Sequence, residues 1–334
     1  MVTRRTFLGG LAAAGLVAAD KTLGAGGEGC KLVMHATWPV RPRSYHAVVD
    51  GEINGQKVGI LLDTGSTASL VVRSAVERLN LTRWPSGGYR LLGIGGEAYA
   101  ESVVIDELRI ARSTRRKWRA LVAGERDFSD DVAVLVGQDF LQNFDVEFDL
   151  PQNVVRLFEP KGRCDGVGLA YWSTDTALEV PIDVSRVVTL DVEVNGQRVR
   201  AMLDSGATST LTTAAAAKLG IAPDTSGVVP AGCSFGLGRK EIERWIAPIE
   251  RVSIGSEMIE KPKLYVADLW KYTTYAETGT RLPQQPAGLP DMLLGIDFLR
   301  SHRVLISHSQ RKMYFSYVGG TVFPSRPGRG CMRN

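Results

Sequence analysis

The chain has 334 residues, of which 44% are hydrophobic and 23% charged, and carries a net charge of +4. That length exceeds what one compact core usually holds, so two domains or lobes are expected. The composition is that of an ordinary globular protein, and so mild a charge gives no reason to expect a nucleic acid as partner.

In chain order, the first feature is "TRRTFLGG" followed by "LAAAGLVAA". Paired Arg4 and Arg5 before a short apolar core read as a secretion signal, too short to span a bilayer. The pattern resembles the twin-arginine (Tat) export signal of bacteria. Residues 1–19 are therefore read as the signal, cut near Ala19, and residues 20–40 as a linker or short propeptide. The mature protein is expected to be periplasmic or secreted. Lipidation of Cys30 is not expected, because the preceding "GGEG" lacks an aliphatic residue three positions earlier. No later stretch approaches 18 apolar residues, so no stable membrane insertion is expected after signal removal.

Two matching segments follow. Residues 52–67, "EINGQKVGILLDTGST", and residues 193–208, "EVNGQRVRAMLDSGAT", are identical at nine of sixteen positions. In each, Asn-Gly marks a tight hairpin turn, and the strand after it ends in Asp. The densest basic run falls later, with Arg112, Arg115, Arg116, Lys117 and Arg119, and reads as a solvated loop. A second match sets "VLVGQDFLQNFDVEFD", from Val134, beside "MLLGIDFLRSHRVLIS", from Met292. Between the two matches each half holds a glycine-bearing segment, "LLGIGGEAY" and "CSFGLGRKE". The offset grows from 141 to 158, which places extra residues of the second half in the loop 270–291. The chain thus divides into lobe 1 (41–160), a linker (161–176), lobe 2 (177–318) and a flexible tail (319–334). Short alternating runs predict strands, and only 68–79 and 210–219 read as helices.

Two Asp-[Thr/Ser]-Gly loops, each after an apolar strand and each followed by an apolar-apolar-Gly, resemble the pepsin/retropepsin class of aspartic peptidases. The Gly-x-Asp-Phe-Leu continuations and the "GIGG" segment resemble its bacterial retropepsin-like members. The resemblance covers both lobes. It implies a mainly β fold, with two tandem retropepsin-like β-barrel lobes related by a pseudo-twofold axis and the active site in the cleft between them. It further implies a monomer, an internal pseudo-dimer that takes an extended peptide or protein substrate.

The chemistry gives the pattern a reason. Peptide hydrolysis needs an activated water and an acid for the carbonyl oxygen, and two carboxylates about 3 Å apart cannot both ionise, so they share a proton. Asp63 and Asp204 are assigned that role. Gly65 and Gly206 permit the tight loop. In the family the hydroxyls at Thr64 and Ser205 bond across to the opposite loop. Ser66 is placed to donate to the outer oxygen of Asp63, which its counterpart Ala207 cannot do for Asp204. That asymmetry predicts a shared proton held to higher pH than in a dyad with a hydroxyl on both sides. Gly137 and Gly295 are expected beneath the loops where no side chain fits. Asp139 and Asp297 are read as turn or cap residues. Gly93, Ile94, Gly95 and Gly96 in lobe 1, and Gly236, Leu237 and Gly238 in lobe 2, are the flap candidates that would cover a peptide.

Three other readings are weaker. "GCSFG", with Ser234, matches the nucleophile-elbow pattern, but no parallel α/β setting surrounds it. Cys30, Cys164, Cys233 and Cys331 lack metal spacing, as do His35, His46, His302 and His308, so neither a metal nor a cofactor is expected. Three full disulfide pairings stay open, with free buried thiols as the other possibility. A catalytically silent peptide-binding module of the same fold is the non-enzymatic alternative.

Overall fold

The computed structural model describes residues 22–24, 29–124, 131–173, 176–276, 283–284, 286–328 and 331. The expected signal, 1–19, lies outside them. The architecture is mainly β, with two sheet lobes joined by a third, shared sheet. Among the described residues no helix is long and apolar enough to cross a membrane.

Lobe 1 is a seven-stranded sheet in the order Val48–Ile53, Gln56–Leu62, Val132–Val136, Leu70–Val72, Ser113–Ala123, Gly96–Ile110 and Arg83–Gly93. Val48–Ile53 also pairs with Gly96–Ile110, which curls the sheet into a barrel. Lobe 2 repeats the core of this order with Thr189–Val194, Gln197–Asp204, Met292–Gly295, Thr210–Thr212 and Lys263–Ala267. The hairpin turns fall where the sequence puts them: Asn54 and Asn195 take left-handed φ of 49° and 51°, each followed by a positive-φ glycine. Alternation along Thr189–Val194 points Leu190, Val192 and Val194 into the core, with Asp191 and Glu193 outside.

The third sheet crosses between the lobes. From its centre, Asp145–Asp149 pairs with His302–Ser307. Outward on one side lie Val154–Gly162 and Cys30–Pro39; on the other lie Lys312–Tyr317 and Leu178–Pro181. A buried ion cluster bolts the halves together. The buried carboxylate of Glu147 accepts from Arg156 Nη1 (3.0 Å), Tyr171 Oη (2.6 Å) and, from lobe 2, Arg303 Nε (2.5 Å). Removing one partner of such a network leaves a charge uncompensated in a dry site.

Several expectations need correction. Residues 30–39 are a ten-residue strand of the shared sheet, tied to the 161–176 connection by the Cys30–Cys164 disulfide, rather than an irregular linker. Its burial alternates only in part: Leu32 and Trp38 are buried while Lys31, His35 and Thr37 are exposed. The tail is pinned rather than loose. Phe323 is buried, Gly328 N–H donates to Pro230 O (3.2 Å), and Cys331 is bonded to Cys233. The basic run lies largely within the strand Ser113–Ala123. There Lys117 pairs with Asp106 and Arg116 with Glu107, cross-strand partners that no local pattern reveals. Both helices are shorter than expected, Arg73–Arg78 and Thr213–Lys218, because Leu70–Val72 and Thr210–Thr212 are drawn into the sheets.

Candidate active site

Each Asp-Thr/Ser-Gly loop hangs from the end of a central strand. Asp63 N–H donates to Val136 O (2.9 Å), and Asp204 pairs in register with Gly295. The apolar stretches that lead into each Asp, Val58–Leu62 and Ala201–Leu203, are buried, so Asp204 is carried into the interior and Asp63 to its edge. The loops meet back to back. Thr64 Oγ1 donates to Leu203 O (2.8 Å) and accepts from Ser205 N–H (2.9 Å). Ser205 Oγ reciprocates, donating to Leu62 O (2.6 Å) and accepting from Thr64 N–H (3.0 Å). Both residues are about 1% exposed or less. Four buried backbone groups are thereby satisfied by two hydroxyls.

This grip puts the carboxylates face to face. A Cβ built at Gly65 would lie 2.6 Å from the Asp204 carboxylate oxygens, and one at Gly206 would lie 2.7 Å from Asp63 Oδ1. Only glycine admits the opposite carboxylate at that distance. Gly65 N–H donates to Asp63 Oδ1 (3.1 Å) and Gly206 N–H to Asp204 Oδ1 (2.9 Å). Burial raises the pKa of both acids. The neighbouring charge of Asp204 pushes Asp63 further, and a hydrogen bond joins the two carboxyl groups. The pair therefore holds one proton well above the ordinary carboxylate range.

The expected role of Ser66 is not what the structure shows. Its hydroxyl donates to Ala68 O (2.8 Å), closing a local turn, and reaches no carboxylate. Asp63 receives the backbone N–H groups of Gly65 and Ser66, as Asp204 receives those of Gly206 and Ala207. The donor asymmetry inferred from Ser66 and Ala207 disappears. Ser66→Ala is accordingly expected to leave the upper limb of a kcat/KM–pH profile in place. A limb displaced toward alkali would return the hydroxyl to Asp63.

Beneath the loops the glycines have no room for a side chain. A Cβ at Gly137 would lie 2.8 Å from Ser66 O, and one at Gly295 would collide with Ala207 O and Ser209 N. Two serines not singled out from the sequence complete the support. Ser69 Oγ accepts from Gly137 N–H (3.0 Å) and donates to Asp139 Oδ1 (2.6 Å). Ser209 Oγ does the same for Gly295 N–H (2.8 Å) and Asp297 Oδ1 (2.6 Å). A constant offset of 141 aligns Ser209 with Ala68, so the serine pair was hidden. Lobe 2 has one residue fewer here, and the equivalence steps to 140. Asp139 and Asp297 are thus loop ties, as the sequence suggests.

Asp297 is 3% exposed, and burial pushes its pKa up to about 6 against the donors Ser209 and Phe298. A raised native pKa means that the folded state keeps a proton the unfolded chain has lost. The group's contribution is full below about pH 4 and falls as pH rises through about 6. Asp297→Asn keeps the acceptor oxygen without the charge. It is expected to match or exceed wild-type stability at pH 7, whereas Asp297→Ala should cost about 2–3 kcal/mol by orphaning Ser209. Thermal melts at pH 4 and 7 check this. Asparagine as damaging as alanine at pH 7 would mean that the loop requires the ionised form.

The flap candidates come together above. Arg83–Gly93 and Gly96–Ile110 form a hairpin with Ile94 and Gly95 at its tip. Ile94 O accepts from Gly238 N–H and Gly95 O from Lys240 N–H, both at 3.0 Å. Gly236 packs on Ile94, and Leu237 lies against Gly93. Ile94 also packs against a lobe 2 apolar cluster that includes Met202 and Leu293. Thr273 Oγ1 donates to Gly93 O (2.7 Å), a contact from the lobe 2 insertion that sequence reading did not find. His46 is a further neighbour, its Nδ1 3.3 Å from Ser205 O and its pKa lowered by burial.

No functionally curated protein matches the sequence significantly. Among solved structures the chain is similar to a retropepsin-like aspartic protease from Rickettsia conorii, at 14% identity and TM-score 0.27, covering 40% of this chain and 96% of that one. It is also similar to an aspartic proteinase from Irpex lacteus, at 12% identity and TM-score 0.49, covering 87% and 99% respectively. The aspartyl protease family model matches residues 49–140 and 190–298, which include both Asp-Thr/Ser-Gly loops and both supporting glycines. With that match extending over more than half of its length, the chain belongs to the aspartyl protease family.

Proposed function

We propose that the protein is an exported aspartic endopeptidase in which Asp63 and Asp204 share one proton and activate a water between them. The observation that carries this is the pair of buried, hydrogen-bonded carboxyl groups held face to face by Thr64 and Ser205. In the proposed step the ionised carboxylate takes a proton from water as its oxygen attacks the scissile carbonyl carbon. The protonated partner gives its proton to the carbonyl oxygen. The tetrahedral intermediate then collapses: the C–N bond breaks, the proton taken from water passes to the leaving amine, and a hydroxyl of the intermediate returns its proton to the other carboxylate, so that the pair again holds one proton. The two meeting tips, Ile94–Gly95 and 236–238, would have to part to admit an extended peptide and would close over it. One chain supplies both Asp loops, so the reading requires only a monomer.

The test is incubation of an unfolded protein or peptide library with the protein, with and without a pepstatin-type inhibitor. Inhibitor-sensitive cleavage is the expected result. Binding of peptides without cleavage would instead support the silent binding module.

Export by the twin-arginine route is part of the same proposal, supported by Arg4-Arg5 and by two disulfides that suit an oxidising compartment. Changing both arginines to lysine is expected to leave precursor in the cytoplasm. Unimpaired export of that variant would point to the general secretory route.

A further inference from the structure

Gln138 follows the glycine beneath the Asp63 loop, and its counterpart in lobe 2 is Ile296. Its side chain is 3% exposed and donates from Nε2 to Thr64 O (2.9 Å). Thr64 C=O and Gly65 N–H belong to one peptide unit, and that N–H donates to Asp63 Oδ1 (3.1 Å). A bond to one end of a peptide unit polarises the other, so hydrogen bonds in series reinforce one another. Behind Gln138 stands His308, half-buried in the turn after the strand His302–Ser307. Its Nε2 lies 3.3 Å from Gln138 Oε1, and its Nδ1 lies 2.7 Å from Phe144 O.

With a neutral imidazole this series is one proton short. Phe144 O and Thr64 O, at its two ends, only accept. A neutral imidazole has one N–H, and giving it to Phe144 O leaves a bare Nε2 facing Gln138 Oε1. Turning the amide over moves the conflict to Thr64 O; shifting the imidazole proton to Nε2 moves it to Phe144 O. Only the imidazolium, with two N–H donors, satisfies all three contacts. The long contact, 3.3 Å, marks where the neutral ring leaves the gap.

Burial disfavours charge on His308 and lowers its pKa, opposed by the Phe144 carbonyl and the charge of Asp145. Asp145 is itself held by Ser307 and Ser309. Asp139 is tied to Ser69, and His35, whose ring lies against Phe144, pairs with Glu159. The gap therefore closes on acidification. The geometry points to His308 and Gln138 as positioning residues for the reaction: a proton taken up by His308 completes the series from Phe144 O to Thr64 O and strengthens the donor that Gly65 presents to the Asp63 carboxylate. This rests on the dyad proposed above. In lobe 2, Ile296 has no amide to give, and Ser205 O meets His46 Nδ1 directly at 3.3 Å.

NMR of the ¹⁵N-labelled chain tests the series without substrate, following the His308 ring nitrogens, the Gln138 carboxamide and the Gly65 amide from about pH 7 to about pH 3. Carboxamide and amide are each expected to show a step at the His308 midpoint. In His308→Phe both steps should vanish, leaving Gly65 only the step of the dyad. No step at the His308 midpoint in the wild type overturns the proposal. Activity supplies the second arm. A donor to a carboxylate favours its charged form, so losing that donor raises the lower pKa of the pair. His308→Phe and Gln138→Ile are each expected to move the acid limb of kcat/KM toward neutral by about half a pH unit, and the double variant no further. Gln138→Ile keeps the histidine but cuts the series. An unmoved limb in that variant would show that His308 acts only as a distant charge, which also overturns the proposal. If either variant fails to fold, the wild-type steps decide. An inactive wild type that shows both steps would sink the peptidase reading and leave the series to Asp63 standing; an active one without them would do the reverse.

Discussion

Asp63→Asn and Asp204→Asn are each expected to lower kcat by about 10⁴-fold while raising stability at neutral pH. The loss follows from the shared proton. An amide can neither take a proton from water nor give one to a carbonyl, and catalytic groups that act as a unit fail together. The double variant should therefore be little worse than either single one. The gain follows from linkage. Both carboxyl groups have native pKa values raised by burial, and Asp63 is raised further by the charge of its partner. Between the unfolded carboxylate pKa of about 4 and the native values, the folded state binds more protons than the unfolded one. Stability from these groups is thus greatest in acid and declines as pH rises through the native range. Asparagine is already neutral and escapes that decline. The benefit should be on the order of 1–3 kcal/mol at pH 7 and should vanish below about pH 4. Paired activity assays and melts across pH test both halves. Near-normal turnover by either single variant would remove the dyad assignment; unchanged stability at pH 7 would mean that the carboxylates are better solvated than their burial implies.

What could be read from the sequence was what repeats locally. Asp-Thr-Gly and Asp-Ser-Gly stand at equivalent strand ends, and nine identities in sixteen positions made the two loops visible before any fold was known. Gly137 and Gly295 were visible for the same reason. What stayed hidden depends on contacts between distant residues. The Ser69–Asp139 and Ser209–Asp297 ties look inequivalent in sequence because one residue is missing from the second loop. Ser66 was misjudged because a hydroxyl's choice between a carboxylate and the Ala68 carbonyl is set by rotamer geometry, which composition does not encode. The strand Cys30–Pro39 was missed because it pairs with residues more than a hundred positions away, and its exposed polar face resembles a linker.

The second large effect is expected at the loop grip. Thr64→Val removes one hydroxyl with almost no change of volume. It leaves Ser205 N–H without its acceptor and Leu203 O without its donor, both in a buried layer. Ser205→Ala does the same to Thr64 N–H and Leu62 O. Each should cost about 2–5 kcal/mol, since two backbone groups are orphaned rather than one. Each should also reduce kcat/KM by about 100-fold, because misplacement of a reacting group by about 1 Å has that consequence. The two hydroxyls do not bond to each other; each bonds to the opposite backbone. Once either is lost the loops can separate, and the bonds of the other weaken with them. The double variant should therefore fall short of the sum, with a coupling energy of about 1 kcal/mol or more. A merely structural role would stop there, but the pH profile gives a further handle. Separated carboxylates repel less when both are ionised, and a loosened site admits water. Both changes favour the charged forms, so the pair should release its shared proton at lower pH and the upper limb of kcat/KM should move toward acid. Thr64→Ser, which keeps the hydroxyl, should restore both rate and profile. Strict additivity together with an unmoved limb would show that the grip stabilises the lobes without setting the distance between Asp63 and Asp204.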